Sequence, residues 1–399
     1  MKTAPKRLRI LNLARWYPNR YDPMPGLFIE RHAEAVALYA DVAVVYTHAV
    51  GAGSLHRNFE IDFEEKNGLN VAKVYYNNLG SKIPLLNHGL KLFRFLKANY
   101  LGIKKVSEKD KKFDLIHVHV LTRLGAIALY YKWIHHGIPF VITEHWTRYL
   151  NHTNGFDGFI RKMLTKIVVK QAAVVTSVSQ DLSLAMQQHG LSNPDYRVIP
   201  NVVAPVFFEV PLKDTKGESK EFVHVSCFTD KHKNISGLLR VIKALAEQRN
   251  DFHFTLVGDG EDFEKMKAFA KGLKIPEKQL QFTGLLEGKV LANTMAAADA
   301  LVIFSNYENM PVVINESFVM AVPVFSTKVG GIAEMVNNSN GRLVEKGDEP
   351  ALLAVLTDFL DGKITFNNQE IRAQALVKFS ANTIGEIILE IYQGVLKSA

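Results

Sequence analysis

The chain has little cysteine and no long apolar run, and these shortages exclude several classes of protein. Cys227 is the single cysteine among 399 residues, so an intramolecular disulfide and a cysteine-cluster metal site are excluded. We expect Cys227 to be a small buried strand residue in a protein of the reducing cytoplasm. No stretch approaches the roughly 20 apolar residues that span a bilayer. The apolar stretch from Ile10 to Ala14 is too short for a signal peptide, so we expect a soluble or peripheral protein.

Acidic residues are scarce in the first half of the chain. The formal net charge is +8, but residues 1–205 hold 27 Lys and Arg against 15 Asp and Glu, whereas residues 206–399 hold 21 against 25. Such an excess suits an anionic membrane surface or an acidic acceptor, and a solvated helix end is the alternative. The sequence contains no zinc spacing, recognition helix or aromatic-interleaved basic motif, so we expect no nucleic-acid partner. The densest basic cluster is Lys104, Lys105, Lys109, Lys111 and Lys112.

Short β-branched runs alternate with longer helical patterns along the whole chain. This alternation predicts βαβ units and two doubly wound α/β domains with parallel sheets, which the chain length also favours. The predicted strands are Leu8–Leu13, Val42–Tyr46, Val71–Tyr75, Leu115–Val120, Phe140–Thr143, Ala173–Val178, Arg197–Ile199, Phe222–Val225, Phe252–Val257, Leu280–Thr283, Ala300–Phe304, Pro323–Ser326 and Gly341–Val344.

A break in periodicity between Pro200 and Glu221 predicts the domain boundary. The polar run Lys213–Lys220 within it is typical of a surface loop or linker. We therefore expect an N-terminal domain over 1–205, joined by a C-terminal helix at about 380–399, and a C-terminal domain over 206–379. Ligands of open α/β sheets bind beyond the carboxyl ends of the strands, so two such domains facing each other would enclose an interdomain cleft.

Two glutamates flank a predicted helix start in the second half. A buried-type strand, Ala300–Ser305, is followed by Glu308, and Pro311 suits a first helical position. Glu316 then lies inside the helix, roughly 7 Å further along its axis. The free N–H groups and positive dipole end of such a helix favour a phosphate or diphosphate between the two carboxylates.

This Glu-x7-Glu element after a short buried strand resembles the retaining glycosyltransferases of family 4, which have the GT-B fold. The resemblance covers nearly the whole chain, because further elements follow in family order. They are Tyr17-Pro18, Pro25-Gly26-Leu-Phe-Ile-Glu30, His117-Val-His119, Thr143-Glu-His145, Val198-Ile-Pro-Asn201, Leu256-Val-Gly-Asp-Gly-Glu261, Phe282-Thr-Gly284, Ala297-Ala-Asp-Ala300 and Val329-Gly-Gly-Ile-Ala-Glu334.

The resemblance implies a site and an activity. Glu308 would contact the donor sugar and Glu316 the ribose hydroxyls, in a retaining, front-face transfer of a hexosyl group. The donor would be a nucleotide diphosphate sugar, with UDP favoured over GDP. The acceptor would be a glycan or lipid-linked glycan in cell-surface polysaccharide synthesis, reached at the inner face of the membrane. Further donor-binding candidates are Gly258, Gly260, Phe282, Gly284, Asn309, Met310, Pro311 and Val312.

Two departures from the family pattern stand out. The family supplies an Arg and a Lys from the loop after the first strand of the second domain, but here residues 225–234 contain no Arg. Lys233 is our candidate for the Lys and Lys231 the reserve. We expect no cofactor and no metal, with Lys233 and the helix end stabilising the leaving diphosphate. Ala321 stands where the family commonly has Gly, and we expect a small backbone change.

In the first half, candidate residues follow predicted strands. Gly26 would permit close backbone approach to the diphosphate or acceptor, unless it is an ordinary helix N-cap. Arg15 would meet an acidic acceptor or the diphosphate. His145 resembles a family histidine near the reacting sugar, which implies that it would orient the acceptor or donate to a hydroxyl. Between His117 and His119, we expect one to point into the core.

Two other functions are compatible with the sequence. A nucleotide-sugar epimerase on the same fold is one alternative, and a non-catalytic GT-B binding module is the other. The absent Arg favours the second of these.

Overall fold

A computed structural model describes residues 7–51, 53–78, 84–107, 112–121, 123–135, 137–150, 155–212, 217 and 219–398. Most of the predicted linker run, residues 213–220, and the cluster residues Lys109 and Lys111 lie outside the described residues.

Fourteen strands lie within these ranges, and each strand predicted from sequence overlaps one of them. They are β1 Arg9–Ala14, β2 Asp41–Val50, β3 Phe59–Lys66, β4 Leu69–Asn77, β5 Leu115–His119, β6 Phe140–Glu144, β7 Val174–Ser177, β8 Tyr196–Val198, β9 Lys220–Val225, β10 Phe252–Val257, β11 Leu280–Gly284, β12 Ala300–Ile303, β13 Val324–Thr327 and β14 Gly341–Val344.

Fourteen α-helices connect these strands in the described part of the chain. They are α1 Leu27–Ala37, α2 Pro84–Ser107, α3 Arg123–Ile134, α4 Phe159–Gln171, α5 Gln180–Gln188, α6 Val206–Glu209, α7 Asp230–Lys233, α8 Ile235–Ala246, α9 Phe263–Gly272, α10 Gly288–Ala296, α11 Val312–Val319, α12 Glu349–Leu360, α13 Asn368–Phe379 and α14 Ala381–Ser398. No described helix is both long and apolar enough to cross a membrane.

The chain divides into two compact units. The first comprises Met1–Val178, Leu182–Val202 and Ala381–Ala399, and the second comprises Ser179–Asp181 and Val203–Ser380. The observed division therefore falls three residues before the predicted boundary at 205, and α14 groups with the first unit.

Each unit contains one sheet, and both sheets are doubly wound. The first has the order β3-β4-β2-β1-β5-β6-β7-β8, and the second has the order β11-β10-β9-β12-β13-β14. Neighbouring strands are parallel except β3 and β4. In both sheets the strand order reverses at the first strand of the unit, and this switch point is where α/β sheets bind ligands.

Strand β3 is absent from the sequence prediction. Its apolar residues Phe59, Ile61 and Phe63 alternate with acidic ones, and the hairpin to β4 turns at Asn67-Gly68. Both turn residues have positive φ, at 51° and 77°, as a tight hairpin turn requires. The alternation of apolar and acidic residues and the Asn67-Gly68 pair are the sequence features that could have predicted this strand.

Helix α14 closes the core of the first unit. Ile384, Ile388 and Tyr392 are buried in the same cluster as β1 and β5 residues. The Tyr392 hydroxyl lies 2.6 Å from Nδ1 of His117 on β5. A C-terminal segment is thereby tied to the centre of the first sheet.

We predict that Tyr392→Phe destabilises the first unit by about 1–3 kcal/mol, because His117 Nδ1 loses its buried partner. The control is Tyr39→Phe, which removes a hydroxyl bonded to Glu386 at the surface and should cost less than about 1 kcal/mol. Chemical denaturation of both variants measures the difference. Equal losses would contradict a structural role for the buried bond.

Candidate functional site

The switch point of the second sheet brings two loops together. Strands β9 and β12 pair in parallel, with Phe222 opposite Ala300 and Val223 opposite Leu301. The loop after β9 and the loop after β12 therefore leave the same sheet edge side by side. This edge collects the predicted residues Lys231, Lys233, Glu308 and Asn309.

Lys233 and Glu308 form an ion pair at the centre of this edge. Lys233 Nζ donates to Glu308 Oε1 at 2.6 Å, and Ser305 Oγ donates to the same oxygen at 2.7 Å. Only 16% of the Lys233 side chain and 8% of the Glu308 side chain are exposed. The sequence singled out both partners, but Ser305 only as part of the strand.

The position of Lys233 depends on the turn between α7 and α8. Asn234 adopts a left-handed conformation with φ 50°. Asp230 Oδ1 accepts the amide of Ser236, in the first turn of α8, at 2.7 Å. This carboxylate holds α7 against α8 and so fixes the backbone from which Lys233 extends.

The two loops are also joined through their backbones. The amides of Asn306 and Tyr307 donate to the His232 carbonyl at 2.8 and 3.2 Å. The Asn306 side-chain amide donates to the Lys231 carbonyl at 3.2 Å, while the Lys231 side chain is exposed. The structure therefore places Lys233 against Glu308 and leaves the Lys231 ammonium at the surface.

Helix α11 follows this edge. Pro311 has an extended ψ of 118° and precedes the helix, whose first residue is Val312. The prediction of Pro311 as the first helical residue is thus wrong by one position, because its ψ is not helical. Met310 is buried, and Glu316 lies inside α11 with 7% of its surface exposed. The first N–H groups of α11 have no partner within the helix.

Gly330 and Gly331 let a neighbouring loop touch the Glu308 segment. A Cβ on Gly330 would lie 2.1 Å from the Glu308 carbonyl oxygen, and one on Gly331 would lie 2.9 Å from the Asn309 carbonyl oxygen. The Gly331 amide donates to that same Asn309 oxygen at 2.8 Å. This close approach explains the Gly-Gly pair after β13.

The glycines after β10 serve loop packing in a similar way. A Cβ on Gly258 would lie 1.8 Å from the Ser226 carbonyl oxygen, and one on Gly260 would lie 2.7 Å from the Phe228 amide nitrogen. The Gly258 amide donates to the Gly284 carbonyl at 2.9 Å, and the Gly260 amide to the Asp259 carboxylate at 2.7 Å. These predicted donor-binding residues thus shape the loop that precedes Lys233.

Two residues of the second unit, Cys227 and Ala321, differ from the sequence prediction. Cys227 is exposed in the loop after β9, so the prediction of a buried strand residue is wrong. The aromatic ring of Phe282 lies 6.2 Å from that of Phe228, between centroids. Ala321 has φ 62°, the left-handed conformation that glycine adopts without penalty. The backbone therefore keeps the glycine-type geometry where the sequence has alanine.

In the first unit, Gly26 and Arg15 lie beyond the carboxyl end of β1. Gly26 precedes α1 with φ 79°, and a Cβ there would lie 2.4 Å from the Trp16 carbonyl. Gly26 is therefore the N-cap of α1, and its backbone also packs closely against the Trp16 carbonyl. The Arg15 amide donates to the His119 carbonyl at 3.2 Å, while its side chain is exposed.

His145 lies just after β6, among aromatic and imidazole rings. Its ring centroid is 4.6 Å from that of Phe28 and 5.8 Å from that of His119. Burial lowers the pKa of His145 well below its ordinary value, so the ring is neutral at neutral pH. His117 and His119 are both buried on one face of β5, with centroids 4.0 Å apart. The expectation that only one points inward is wrong, because residues i and i+2 of a strand share a face.

Sequence reasoning missed Glu144, beside His145. This fully buried carboxyl accepts from the amides of Leu121, His145 and Trp146 at 2.8–2.9 Å. Burial raises its pKa to about 7 against the opposing effect of those three bonds. The signal was its place at the end of a predicted strand, one residue before the histidine that was chosen. Glu144 therefore fixes the backbone of the His145 loop.

Both halves of the chain match the profiles of known protein families. The profile described as "Glycosyl transferases group 1" matches residues 211–375, and the one described as "Glycosyltransferase Family 4" matches residues 30–206. N-acetyl-alpha-D-glucosaminyl L-malate synthase of Bacillus anthracis is 27% identical over 342 residues, covering 82% of this chain and 86% of that protein. Lipopolysaccharide 1,6-galactosyltransferase of Escherichia coli is 23% identical over 201 residues, covering 49% and 55%. The structure of HepE from Anabaena in complex with UDP matches with a TM-score of 0.68 at 20% identity, covering 97% of this chain and all of that one.

We predict that Gly330→Ala destabilises the second unit more than Gly347→Ala. Both glycines have positive φ, 53° and 76°, but a Cβ on Gly347 meets nothing within 4 Å. Gly347→Ala should therefore cost only the left-handed penalty of about 1–2 kcal/mol, and Gly330→Ala a further 1–3 kcal/mol, roughly, from overpacking. Urea unfolding of the two variants measures the difference. Equal midpoints would show that the Glu308 loop does not depend on this contact.

Proposed function

This chain belongs to the glycosyltransferases of the family 4 type with the GT-B fold, and on that premise we propose that it is a retaining hexosyltransferase. The donor is a nucleotide diphosphate sugar, and the acceptor is a hydroxyl of a glycan or lipid-linked glycan. The observation that carries the proposal is the Lys233–Glu308 pair beside the start of α11.

In the proposed reaction the bond between the anomeric carbon and the leaving phosphate oxygen breaks, and its electron pair goes to the diphosphate. The acceptor oxygen bonds to the same face of the anomeric carbon, and its proton passes to the leaving oxygen. Lys233 and the first amides of α11 stabilise the charge on the diphosphate. Glu308 stabilises the positive charge on the sugar and orients its hydroxyls.

The two ends of the donor are held by different groups in this proposal. Glu316 accepts from the ribose hydroxyls, since one carboxylate can accept from two vicinal hydroxyls. His145, a neutral ring, orients the acceptor hydroxyl. A UDP-sugar is favoured over a GDP-sugar, and the UDP complex of the similar HepE structure supports that order. The lipopolysaccharide galactosyltransferase relative supports an acceptor in cell-surface polysaccharide synthesis.

We propose that the first unit binds an anionic membrane at the cytoplasmic face through α2, α3 and α4. Right-handed crossovers place these helices on one face of the first sheet. They expose large apolar side chains, among them Phe93 at 61%, Trp133 at 68%, Phe159 at 81% and Ile160 at 68%. Lys97, Arg161 and Lys166 lie on the same helices. Exposed apolar side chains flanked by cations suit insertion between anionic headgroups.

We predict that Lys233→Met lowers kcat by roughly 100-fold, the loss typical of one group that stabilises developing charge. The assay measures nucleoside diphosphate release from UDP-hexoses and GDP-hexoses with a polysaccharide acceptor. The control is Lys243→Met, which breaks a surface ion pair with Glu247 and should leave kcat within a few-fold.

Three outcomes would contradict this assignment. Normal turnover by folded Lys233→Met protein would show that Lys233 does not contribute to the reaction. An epimerised sugar formed without acceptor would make the chain an epimerase. Tight UDP binding with no donor hydrolysis or transfer across many acceptors would make it a binding module.

We predict that Ile160→Ser with Leu164→Ser on α4 weakens binding to phosphatidylglycerol vesicles by roughly 10-fold or more, because two inserting apolar side chains are lost. The matched control is Val377→Ser, since Val377 of α13 is 72% exposed but lies in the second unit. Co-sedimentation with anionic and with phosphatidylcholine vesicles gives the affinities. Equal losses in both variants, or no preference for anionic vesicles, would overturn the membrane proposal.

A further inference from the structure

Three buried histidines from separate segments of the first unit converge on one point. His32 lies on α1, His119 ends β5 and His145 follows β6. One nitrogen from each ring can be chosen so that the three atoms lie within 4.8 Å of one another. Within the described ranges, no other group of three or more His, Cys, Asp or Glu residues is close enough to hold a metal ion.

The spacing of two of these rings fits metal coordination better than a hydrogen bond. Nδ1 of His119 and Nε2 of His145 are 3.5 Å apart, whereas a good hydrogen bond to nitrogen or oxygen is about 2.7–3.2 Å long. Two nitrogens bound to one tetrahedral zinc ion, each about 2.0–2.1 Å from it, are about 3.4 Å apart. The observed separation of 3.5 Å is therefore close to one edge of such a coordination shell.

The third ring is oriented as metal-binding histidines are. Nε2 of His32 lies 3.1 Å from the Pro200 carbonyl oxygen, which can only accept, so Nε2 carries the proton. Nδ1 then carries the lone pair, and it is buried without a hydrogen-bond partner. A histidine that binds metal through one nitrogen usually donates the other N–H to a carbonyl or carboxylate.

Two other buried histidines, His117 and His224, have a hydrogen-bond partner at each ring nitrogen. His117 contacts the Tyr392 hydroxyl and Thr143 Oγ1, both at 2.6 Å. His224 in the second unit contacts the Val302 carbonyl and Ser226 Oγ, both at 2.8 Å. By contrast, Nδ1 of His32 is buried and unbonded, and Nδ1 of His119 faces a ring nitrogen of His145 at 3.5 Å. Buried polar atoms are rarely left so, which indicates that a ligand completes this cluster.

We propose that His32, His119 and His145 bind one divalent transition ion, with Zn²⁺ as the best fit and a fourth position open to water. Three imidazole nitrogens suit Zn²⁺ or Co²⁺ and not Mg²⁺ or Ca²⁺, which prefer oxygen. The ion would join α1 to the carboxyl ends of β5 and β6. All three histidines belong to the first unit and Lys233 to the second, so this site is separate from the leaving-group chemistry assigned to Lys233.

The test uses the full chain, stripped with a chelator and titrated with Co²⁺ alone. The expected result is one Co²⁺ per chain, with the visible absorption bands of tetrahedral cobalt, which Zn²⁺ then abolishes by displacement. Zn²⁺ at 100-fold excess over its Kd should also raise the Tm by roughly 5–10 °C. His119→Gln and His32→Gln should each weaken binding by roughly 100-fold or more. The matched control is His135→Gln, an exposed histidine of the first unit, which should bind as the parent does.

The unmodified chain alone can overturn the proposal, so it does not depend on the folding of any variant. The absence of both the cobalt absorption bands and a Tm shift, in excess Co²⁺ or Zn²⁺, would overturn it. Binding that survives in folded His119→Gln and His32→Gln protein, or that is lost in His135→Gln, would place the ion on other residues and would equally refute the site. Thermal unfolding of the metal-free variants establishes that they are folded.

Discussion

The parallel pairing of β9 with β12 is the constraint on which the donor-side residues depend. This ladder reverses the strand order and sets two loops from distant parts of the sequence at one sheet edge. Only then can Lys233 reach Glu308, 75 residues away. Glycines at 258, 260, 330 and 331 permit the approach of neighbouring loops, because a Cβ at any of them would collide with backbone atoms. The ion pair is thus a consequence of sheet topology and of glycine positions at which two backbones can approach closely.

The first unit contains a network of buried polar groups beside its hydrophobic core. His117, Thr143 and Thr176 form a chain of 2.6 Å contacts across β5, β6 and β7, which ends on the Ile142 carbonyl at 3.1 Å. Such a network is stable in a low-dielectric core only when every member is bonded, so it fixes one register and one set of rotamers. In the neighbouring triad of His32, His119 and His145, the buried Nδ1 of His32 has no hydrogen-bond partner. The contrast between a fully hydrogen-bonded network and this cluster of histidines is the physical basis for proposing an ion bound by the cluster.

Much of the fold was predictable because local patterns and global topology agree. The run Ala300–Ile303 is apolar and buried on both faces, as a strand covered by helices on both sides must be, and it appears as a strand. Strand β3 was missed because it lies at an edge and is half acidic, so only its Asn67-Gly68 turn marked it. The placement of Cys227 failed for another reason: burial of a single residue near a strand end depends on where the strand stops, and β9 stops at Val225.

By itself the sequence determined the order of the strands other than β3, the two α/β units, and the Glu-x7-Glu element with a helix start to within one residue. These properties follow from periodicity and spacing, which are local. Tertiary structure alone decided that Lys233 and not Lys231 meets Glu308, that Ser305 supports the same carboxylate, and that three histidines from α1, β5 and the loop after β6 converge. Those contacts join residues far apart in the chain, and their existence depends on strand order and burial, which no local pattern encodes.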